Sequence, residues 1–269
     1  MTECKGERLD AYLVAAGYVG GRDKAKELVA SGQVLVNGAP VTKASRRITP
    51  TDRVECHAPR EKYVGRGGLK LEKAISVVDL VLTDAVAMDV GASTGGFTDC
   101  MLQAGAAQVY AVDVGHDQLH EKLRCDPRVT VMEGTDIRSD RLRNTVAAGS
   151  ITFCSVDVSF VSLQNVLSAI LPYLSADATL VCLIKPQFEA GRAAVGKRGV
   201  VKDRKVHYRV LAEQLALFTS LQMIPVWVGH SPITGGEGNI EYLAVLRRVG
   251  ESSLIDPAAV VDAAFAELA

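Results

Sequence analysis

The chain has 269 residues, 48% of them hydrophobic and 23% charged, with a formal net charge of −1. This is ordinary for a soluble globular protein with room for one large core and a small module. Its longest apolar stretches, near Val77 to Leu82 and Ala85 to Val90, fall far short of the ~20 residues a membrane helix needs. Met1 is followed by polar residues rather than a signal peptide, which argues for a cytoplasmic protein and against a membrane-lytic one.

Six cysteines, Cys4, Cys56, Cys100, Cys125, Cys154 and Cys182, are dispersed with no C-x-x-C pair. Buried free thiols in a reducing cytoplasm are expected, and structural zinc or another metal is not. Charge is unevenly spread: residues 1–70 carry 13 Lys and Arg against 8 Asp and Glu, a net +5, and residues 71–269 carry 17 against 23, a net −6. A basic leading segment on a mildly acidic body suggests a polyanionic partner met by the N-terminal part.

Leu9, Leu13 and Ala16, closed by Gly17, are spaced as a short helix, and Ala25, Leu28 and Val29 mark a second that ends at Gly32. Gln33 to Val36 then alternates into the turn Asn37-Gly38, a strong hairpin signal. A return strand is expected near Pro40 to Thr42 and another around Arg53 to Cys56. The pattern Arg8-Leu9-Asp10, Arg22, Ala25, Leu28, Gly32, Val34, Val36-Asn37-Gly38 and Lys43, over about residues 7 to 57, resembles the alpha-L RNA-binding module shared by a small-subunit ribosomal protein, pseudouridine synthases and tyrosyl-tRNA synthetases. Gly21 stands where such modules usually carry serine, so the cap of the second helix differs. The resemblance implies RNA contacts from Arg8, Arg22, Lys24, Lys26, Asn37, Lys43, Arg46 and Arg47, with Arg66 added from the linker.

From Ala58 to Gly68 the chain has Pro, Gly and charge but no periodicity. The expected organisation is a small α+β RNA-binding domain over 1–58, a linker over 59–67 and a large domain over 68–269. A helix opens at Gly67-Gly68, with Leu69, Ala74, Ile75 and Val78 as its apolar positions and Lys70 and Lys73 on other faces. Strand-like runs follow at Ala85 to Val90, Val109 to Val112, Val129 to Met132, Ile151 to Val156, Thr179 to Ile184, Met223 to Gly229 and Tyr242 to Leu246, with helical runs between most of them. This alternation predicts an α/β fold with a seven-stranded, mainly parallel sheet covered on both faces, and ligands outside the carboxyl ends of its strands.

The first strand runs into Asp89-Val90-Gly91-Ala92-Ser93-Thr94-Gly95-Gly96-Phe97-Thr98, a small-residue turn before a helix that Gly105 stops, and the second ends in Asp113, 24 positions beyond Asp89. Such a turn lets backbone N–H groups approach a bound molecule, and an acidic residue there can accept from both hydroxyls of a ribose. The spacing Gly91-x-x-x-Gly95-Gly96 departs from the G-x-G-x-x-G of dinucleotide enzymes and looks like motif I of S-adenosylmethionine-dependent methyltransferases, within a Rossmann-like class I fold. Asp136 stands where it could meet an adenine amino group or cap a helix at Ile137 and Arg138.

Four polar residues lie in apolar or Gly-rich settings: Lys70, Asp157 in Ser155-Val156-Asp157-Val158-Ser159-Phe160, Lys185 in Leu183-Ile184-Lys185-Pro186-Gln187-Phe188, and Glu241 in Gly238-Asn239-Ile240-Glu241-Tyr242. A lysine and an aspartate at buried strand ends are costly unless paired or used, so a purely structural ion pair is the plain alternative. The ordered Lys, Asp, Lys, Glu set resembles the tetrad of FtsJ-type ribose 2′-O-methyltransferases. Across nearly its full length the chain resembles the TlyA family of rRNA cytidine 2′-O-methyltransferases, also called haemolysins.

That resemblance implies S-adenosylmethionine as cofactor, held by Asp89, Gly91, Ala92, Ser93, Thr94, Gly95, Gly96, Phe97, Asp113, Asp136 and Asp157, and ribosomal RNA or ribosomal subunits as partner to a monomeric enzyme. Lys185 would accept or steer the 2′-hydroxyl proton, Asp157 and Lys70 would position the ribose and tune Lys185, and Glu241 would complete the network. Asp157-Val158-Ser159-Phe160 lacks the prolines of base-methylating motifs, which suits a ribose oxygen better than a base amino group. An RNA-binding protein that retains the cofactor without turnover is the rival reading. The basic, Gly-rich stretch Gly191 to Lys205 is expected as a substrate lip or a surface loop, and Pro257 to Leu268 as a docking helix.

Overall fold

The computed structural model describes residues 6–58 and 61–268; Cys4 and the linker residues Pro59 and Arg60 lie outside the described residues. The chain divides into two compact units between Gly65 and Arg66.

The smaller unit contains β1 (Glu7–Arg8), α1 (Leu9–Ala15), α2 (Arg22–Ala30), β2 (Val34–Val36), β3 (Ala39–Pro40), β4 (Arg47–Ile48) and β5 (Val54–Cys56). β2 pairs antiparallel with β3 and β5, and β1 with β4. Leu9 and Leu13 on α1 and Ala25 and Val29 on α2 are fully buried, in one cluster with Val34, Val36, Val41 and Ile48; the four-residue spacing puts each pair on one helix face. Asn37 and Gly38 have φ of +55° and +77°, as a tight two-residue hairpin turn requires. The return strand is Ala39–Pro40 rather than Pro40 to Thr42, and Val41 N still donates to Val34 O at 3.0 Å just beyond it. β1 and β4, two residues each, are too short for any alternation to announce them. Gly21 caps α2 without a side-chain hydrogen bond, the consequence of glycine in a serine's place.

The larger unit runs α3 (Gly67–Val77), β6 (Val86–Val90), α4 (Gly96–Gln103), β7 (Gln108–Val112), α5 (Glu121–Arg124), β8 (Val129–Met132), α6 (Asp140–Thr145), β9 (Ile151–Val156), α7 (Leu163–Ile170), β10 (Leu174–Ile184), α8 (Pro186–Glu189), α9 (Arg204–Ser220), β11 (Ile224–His230), β12 (Tyr242–Arg247) and α10 (Pro257–Leu268). Its seven strands are ordered β8-β7-β6-β9-β10-β12-β11. Those from β8 to β10 are parallel, and β12 runs antiparallel to both neighbours, with Ile184 opposite Tyr242. The chain leaves β6 toward β7 and returns on its other side at β9, so the crevice beyond the carboxyl ends of β6 and β9 is the switch point where such sheets bind ligands.

Several expectations need correction. On α3, Leu69 is exposed while Lys70 is buried with Leu71 and Ala74; the helix turns a lysine inward because a carboxylate waits there. β10 begins five residues before the expected Thr179, since Leu174 already pairs with Ile151 ahead of a register shift. Asp136 caps no helix: Ser139 caps α6, its Oγ accepting from Leu142 N at 3.4 Å. Of the cysteines, Cys100, Cys154 and Cys182 are buried, Cys56 is half-buried and Cys125 is exposed. Gly105 does stop α4 with φ +99°, and α10 buries Val261 and Ala264. No described helix is long and apolar enough to cross a membrane.

Candidate active site

Beyond β6 the chain turns through Gly91 to Gly95 into α4. Gly91 has φ +85°, and a Cβ there would lie 2.3 Å from the Asp157 carbonyl oxygen, so only glycine lets the two strand ends close on each other. Ser93 N donates to Asp113 Oδ2 and Gly115 N to Asp113 Oδ1, both at 2.7 Å. The carboxylate is thereby fixed in direction, with lone pairs left for ribose hydroxyls. A cavity of about 560 Å³ opens here, lined by Gly91, Ser93, Asp113, Asp136 and Asp157 among others. A smaller one of about 230 Å³ is lined by Ala92, Thr94, Gly96, Phe97, Lys70 and Arg66, and shares Gly91, Ser93 and Asp157 with the first. The bare glycine turn, the aimed Asp113 carboxylate and the continuous wall suit a nucleoside with an extended tail, as S-adenosylmethionine is.

Two expected cofactor residues support the turn without lining either cavity. Asp89 is fully buried and accepts from Thr98 Oγ1 at 2.7 Å and Ser155 Oγ at 2.8 Å, which joins β6 to α4 and β9; burial raises its pKa to about 6 against these two donors. Gly95 caps α4 with φ +94°. Asp136 does face the larger cavity. Its carboxylate is held by the Arg138 guanidinium at 2.8 and 2.9 Å and by the Arg138 amide, and these bonds lower its pKa to about 2.

The four polar residues form two ion pairs. Lys70 Nζ, from α3, donates to Glu241 Oε2 at 2.6 Å, with both side chains buried. Lys185 Nζ, just past β10, lies 2.5 Å from Asp157 Oδ1 in an ion pair and donates to Ser159 Oγ at 3.1 Å. Glu241 precedes β12, whose reversed direction brings it to the active end of the sheet. A Cβ on Gly235 would strike Glu241 Oε1 at 2.0 Å, so that glycine makes room for the carboxylate. Lys70 thus pairs with Glu241 and shares a cavity wall with Lys185.

A third cavity, of about 950 Å³, is lined by Lys70, Lys185, Glu241, Ser159, Phe160 and Arg192, among others. Lys70 is shared with the 230 Å³ cavity, and Ser159 and Phe160 with the 560 Å³ one. Phe160 is 91% exposed, has φ +64°, and lies over Phe188 with ring centroids 4.8 Å apart. The Gly191 to Lys205 stretch lends Gly191, Arg192, Val195 and Gly199 to this wall. It is also stapled down: Val201 N donates to Asn239 Oδ1 at 3.2 Å, and Asn239 Nδ2 donates to Gly199 O at 3.0 Å.

In the smaller unit, Arg8 is paired with buried Asp10 at 2.7 Å, with Arg22 also near that carboxylate at 3.9 Å. Lys24 pairs with Glu61 and Lys26 with Asp23, each at 2.6 Å. Asn37 is used in its own turn: its Nδ2 donates to Asp52 Oδ1 at 2.6 Å and its Oδ1 accepts from Arg53 N at 2.8 Å. Arg47 Nη1 donates to Gly6 O at 2.6 Å. Exposed Lys43 and Arg46 line one concavity of about 410 Å³. Arg66 belongs to the larger unit, where its Nη2 donates to Thr234 O at 3.3 Å.

Ser159, Phe160 and the Ile233 to Gly236 stretch are the site residues that sequence reasoning missed. Ser159 and Phe160 lie within the motif that announced Asp157, and Thr234-Gly235-Gly236 is a small-residue run like the one that announced the cofactor turn.

Comparison with known proteins agrees with this geometry. Residues 63–248 match the FtsJ-like methyltransferase family and residues 7–54 the S4 domain. The chain is 44% identical to "Putative rRNA methyltransferase YqxC" of Bacillus subtilis, over 92% of this chain and 88% of that protein. It is 38% identical to the 16S/23S rRNA (cytidine-2′-O)-methyltransferase TlyA of Mycobacterium tuberculosis, over 92% of each. A solved structure named "Putative hemolysin from Streptococcus thermophilus" has 40% identity and a TM-score of 0.74, over 98% of this chain and 97% of that one. The chain belongs to the FtsJ-like methyltransferase family as a TlyA-like, S-adenosylmethionine-dependent member that carries an S4 domain ahead of its catalytic domain.

Proposed function

We propose that this enzyme transfers a methyl group from S-adenosylmethionine to the 2′-hydroxyl of a cytidine in ribosomal RNA, and that it acts as a monomer on ribosomal subunits in the cytoplasm. In this reading residues 1–58 bind RNA, 59–67 link, and 68–269 catalyse. The observation that carries it is the convergence of two lysine–carboxylate pairs where a cofactor-sized crevice meets a larger basic and aromatic cavity.

The bound cofactor supplies an electrophilic methyl on a sulfonium, so the protein's task is to align a nucleophile and manage one proton. Gly91 to Thr94, Gly96, Phe97 and Asp113 would hold the donor, and Asp136 would face its base. Lys185 Nζ, fixed between Asp157 and Ser159, orients the ribose oxygen. The Lys185–Asp157 pair would take up the proton that this oxygen loses. Lys70 and Glu241 brace the opposite wall. Phe160 offers a ring face on which a base can stack, and the exposed Lys43 and Arg46 neutralise phosphates.

Ribosomal subunits incubated with radiolabelled S-adenosylmethionine test this reading. The wild type incorporates label that nucleoside mass spectrometry identifies as 2′-O-methylcytidine, and Lys185→Ala does not. Equal incorporation by the variant would overturn the catalytic assignment, and a methyl found on a base would overturn the reaction.

A further inference from the structure

We propose that Glu133 is a positioning residue for the cofactor, a carboxylate that builds the Asp113 to His120 wall of the crevice before the cofactor arrives. Glu133 directly follows β8 and lines none of the three cavities of the site. Its carboxylate nevertheless collects four donors from one loop and the helix after it. Gln118 N and Leu119 N donate to Oε1 at 2.7 and 2.9 Å, Asp117 N donates to Oε2 at 3.1 Å, and the Arg124 guanidinium donates to Oε2. Arg124 Nε also donates to Leu119 O at 3.0 Å, so carboxylate and guanidinium hold the loop from both sides. Burial pushes the Glu133 pKa up, but the Leu119 and Gln118 amides and Arg124 outweigh it and hold it at about 2.

Three consecutive amides converging on one carboxylate fix a backbone that no strand or helix fixes. The segment matters for the cofactor at two points. Gly115 and Gln118 line the 560 Å³ cavity, and Gly115 N is one of the two amides that aim Asp113. Farther along, His120 N donates to Thr94 O at 3.2 Å, and buried Leu119 and Leu123 pack so closely under Gly95 that a Cβ there would meet their methyl groups at 2.8 and 2.2 Å. Glu133 therefore supports both the ribose acceptor and the glycine turn. A wall built in advance spares the cofactor the ordering cost of a free loop.

The inference rests on the S-adenosylmethionine reading and not on the RNA substrate, so cofactor binding is measured directly with no RNA present. Glu133→Gln keeps size and shape but puts an NH₂ group opposite donors on one side. By titration calorimetry it is expected to bind S-adenosylmethionine at least tenfold more weakly, while kcat on ribosomal subunits at saturating cofactor stays within threefold of wild type. A Kd within twofold of wild type would overturn the proposal, as would kcat falling in step with affinity, the mark of a general structural role. Hydrogen exchange on the cofactor-free wild type is independent of any variant's folding. The Gln118 and Leu119 amides are expected to exchange at least a hundredfold more slowly than unstructured amides, and exchange at the unstructured rate would overturn it. If the wild type binds no S-adenosylmethionine at all, it is the cofactor reading that fails.

Discussion

Two ion pairs, one from each unit, use the same chemistry in opposite ways. In the smaller unit Lys26 and Asp23 lie 2.6 Å apart with side chains 56% and 92% exposed, while in the larger one Lys70 and Glu241 lie at the same 2.6 Å with side chains 10% and 3% exposed. An exposed pair contributes little and can part to meet a phosphate. A buried pair must stay matched, because desolvation leaves no cheap state for either ion alone. Distance alone therefore says nothing of how firmly a pair is held: exposure does.

The sharpest break in this contrast is expected at Lys185. Lys185→Ala should cut methyl transfer by about 10²–10⁴-fold while leaving S-adenosylmethionine binding near wild type, read by single-turnover labelling and calorimetry. Next is Glu241→Ala, which strands Lys70 in a buried site and should cost about 3–5 kcal/mol in denaturant unfolding. The double change Lys70→Met with Glu241→Leu should recover most of that stability and none of the activity, separating the pair's two roles.

A third effect concerns Asp89, which is buried among hydroxyl donors. Asp89 titrates at about 6 in the folded protein against an ordinary 3.8, so the native state holds a proton that the unfolded chain releases. Its contribution is present in full below about pH 4 and is lost as pH rises through about 6. Urea midpoints between pH 4 and 7 should show this fall in the wild type and a flatter curve in Asp89→Asn.

Smaller effects belong to the N-terminal unit. Lys43→Ala with Arg46→Ala should weaken binding to ribosomal RNA fragments and lower the salt dependence of log K by about one per lost phosphate contact, with melting temperature unchanged. Lys26→Ala should change stability by less than about 0.5 kcal/mol. A loss as large as that of Glu241→Ala would erase the contrast between the two pairs.

Much of this was legible in the chain because it is local. The glycine turn from Gly91 to Gly96, the acid at the end of the next strand and the apolar–polar alternation each lie within a few residues, where spacing determines geometry. Lys70, Asp157, Lys185 and Glu241 stood out because charge in an apolar setting demands a partner. Which partner was not legible: Lys70 and Glu241 are 171 positions apart, and helical periodicity alone turns Leu69, not Lys70, inward. Glu133 gave no local sign, since three of its four donors are backbone amides, which every residue type but proline carries. Ser159 and Phe160 were visible as letters, but the positive φ that sets out the Phe160 ring comes from the turn beyond β9.

The reversed strand β12 carries a consequence for how the gene can vary. With Ile184 opposite Tyr242, Lys185 and Glu241 come abreast at one end of the sheet only because β12 starts where β10 finishes. A slip of one residue in that ladder would turn Glu241 to the other face, leaving a sheet with every strand in order and no carboxylate for Lys70. Insertions and deletions between Ser231 and Ile240 must thus be absorbed before Glu241 and must also spare the Ile233 to Gly236 wall and the Asn239 bonds, which makes length changes in this stretch a sensitive map of where the loop ends and the strand register begins.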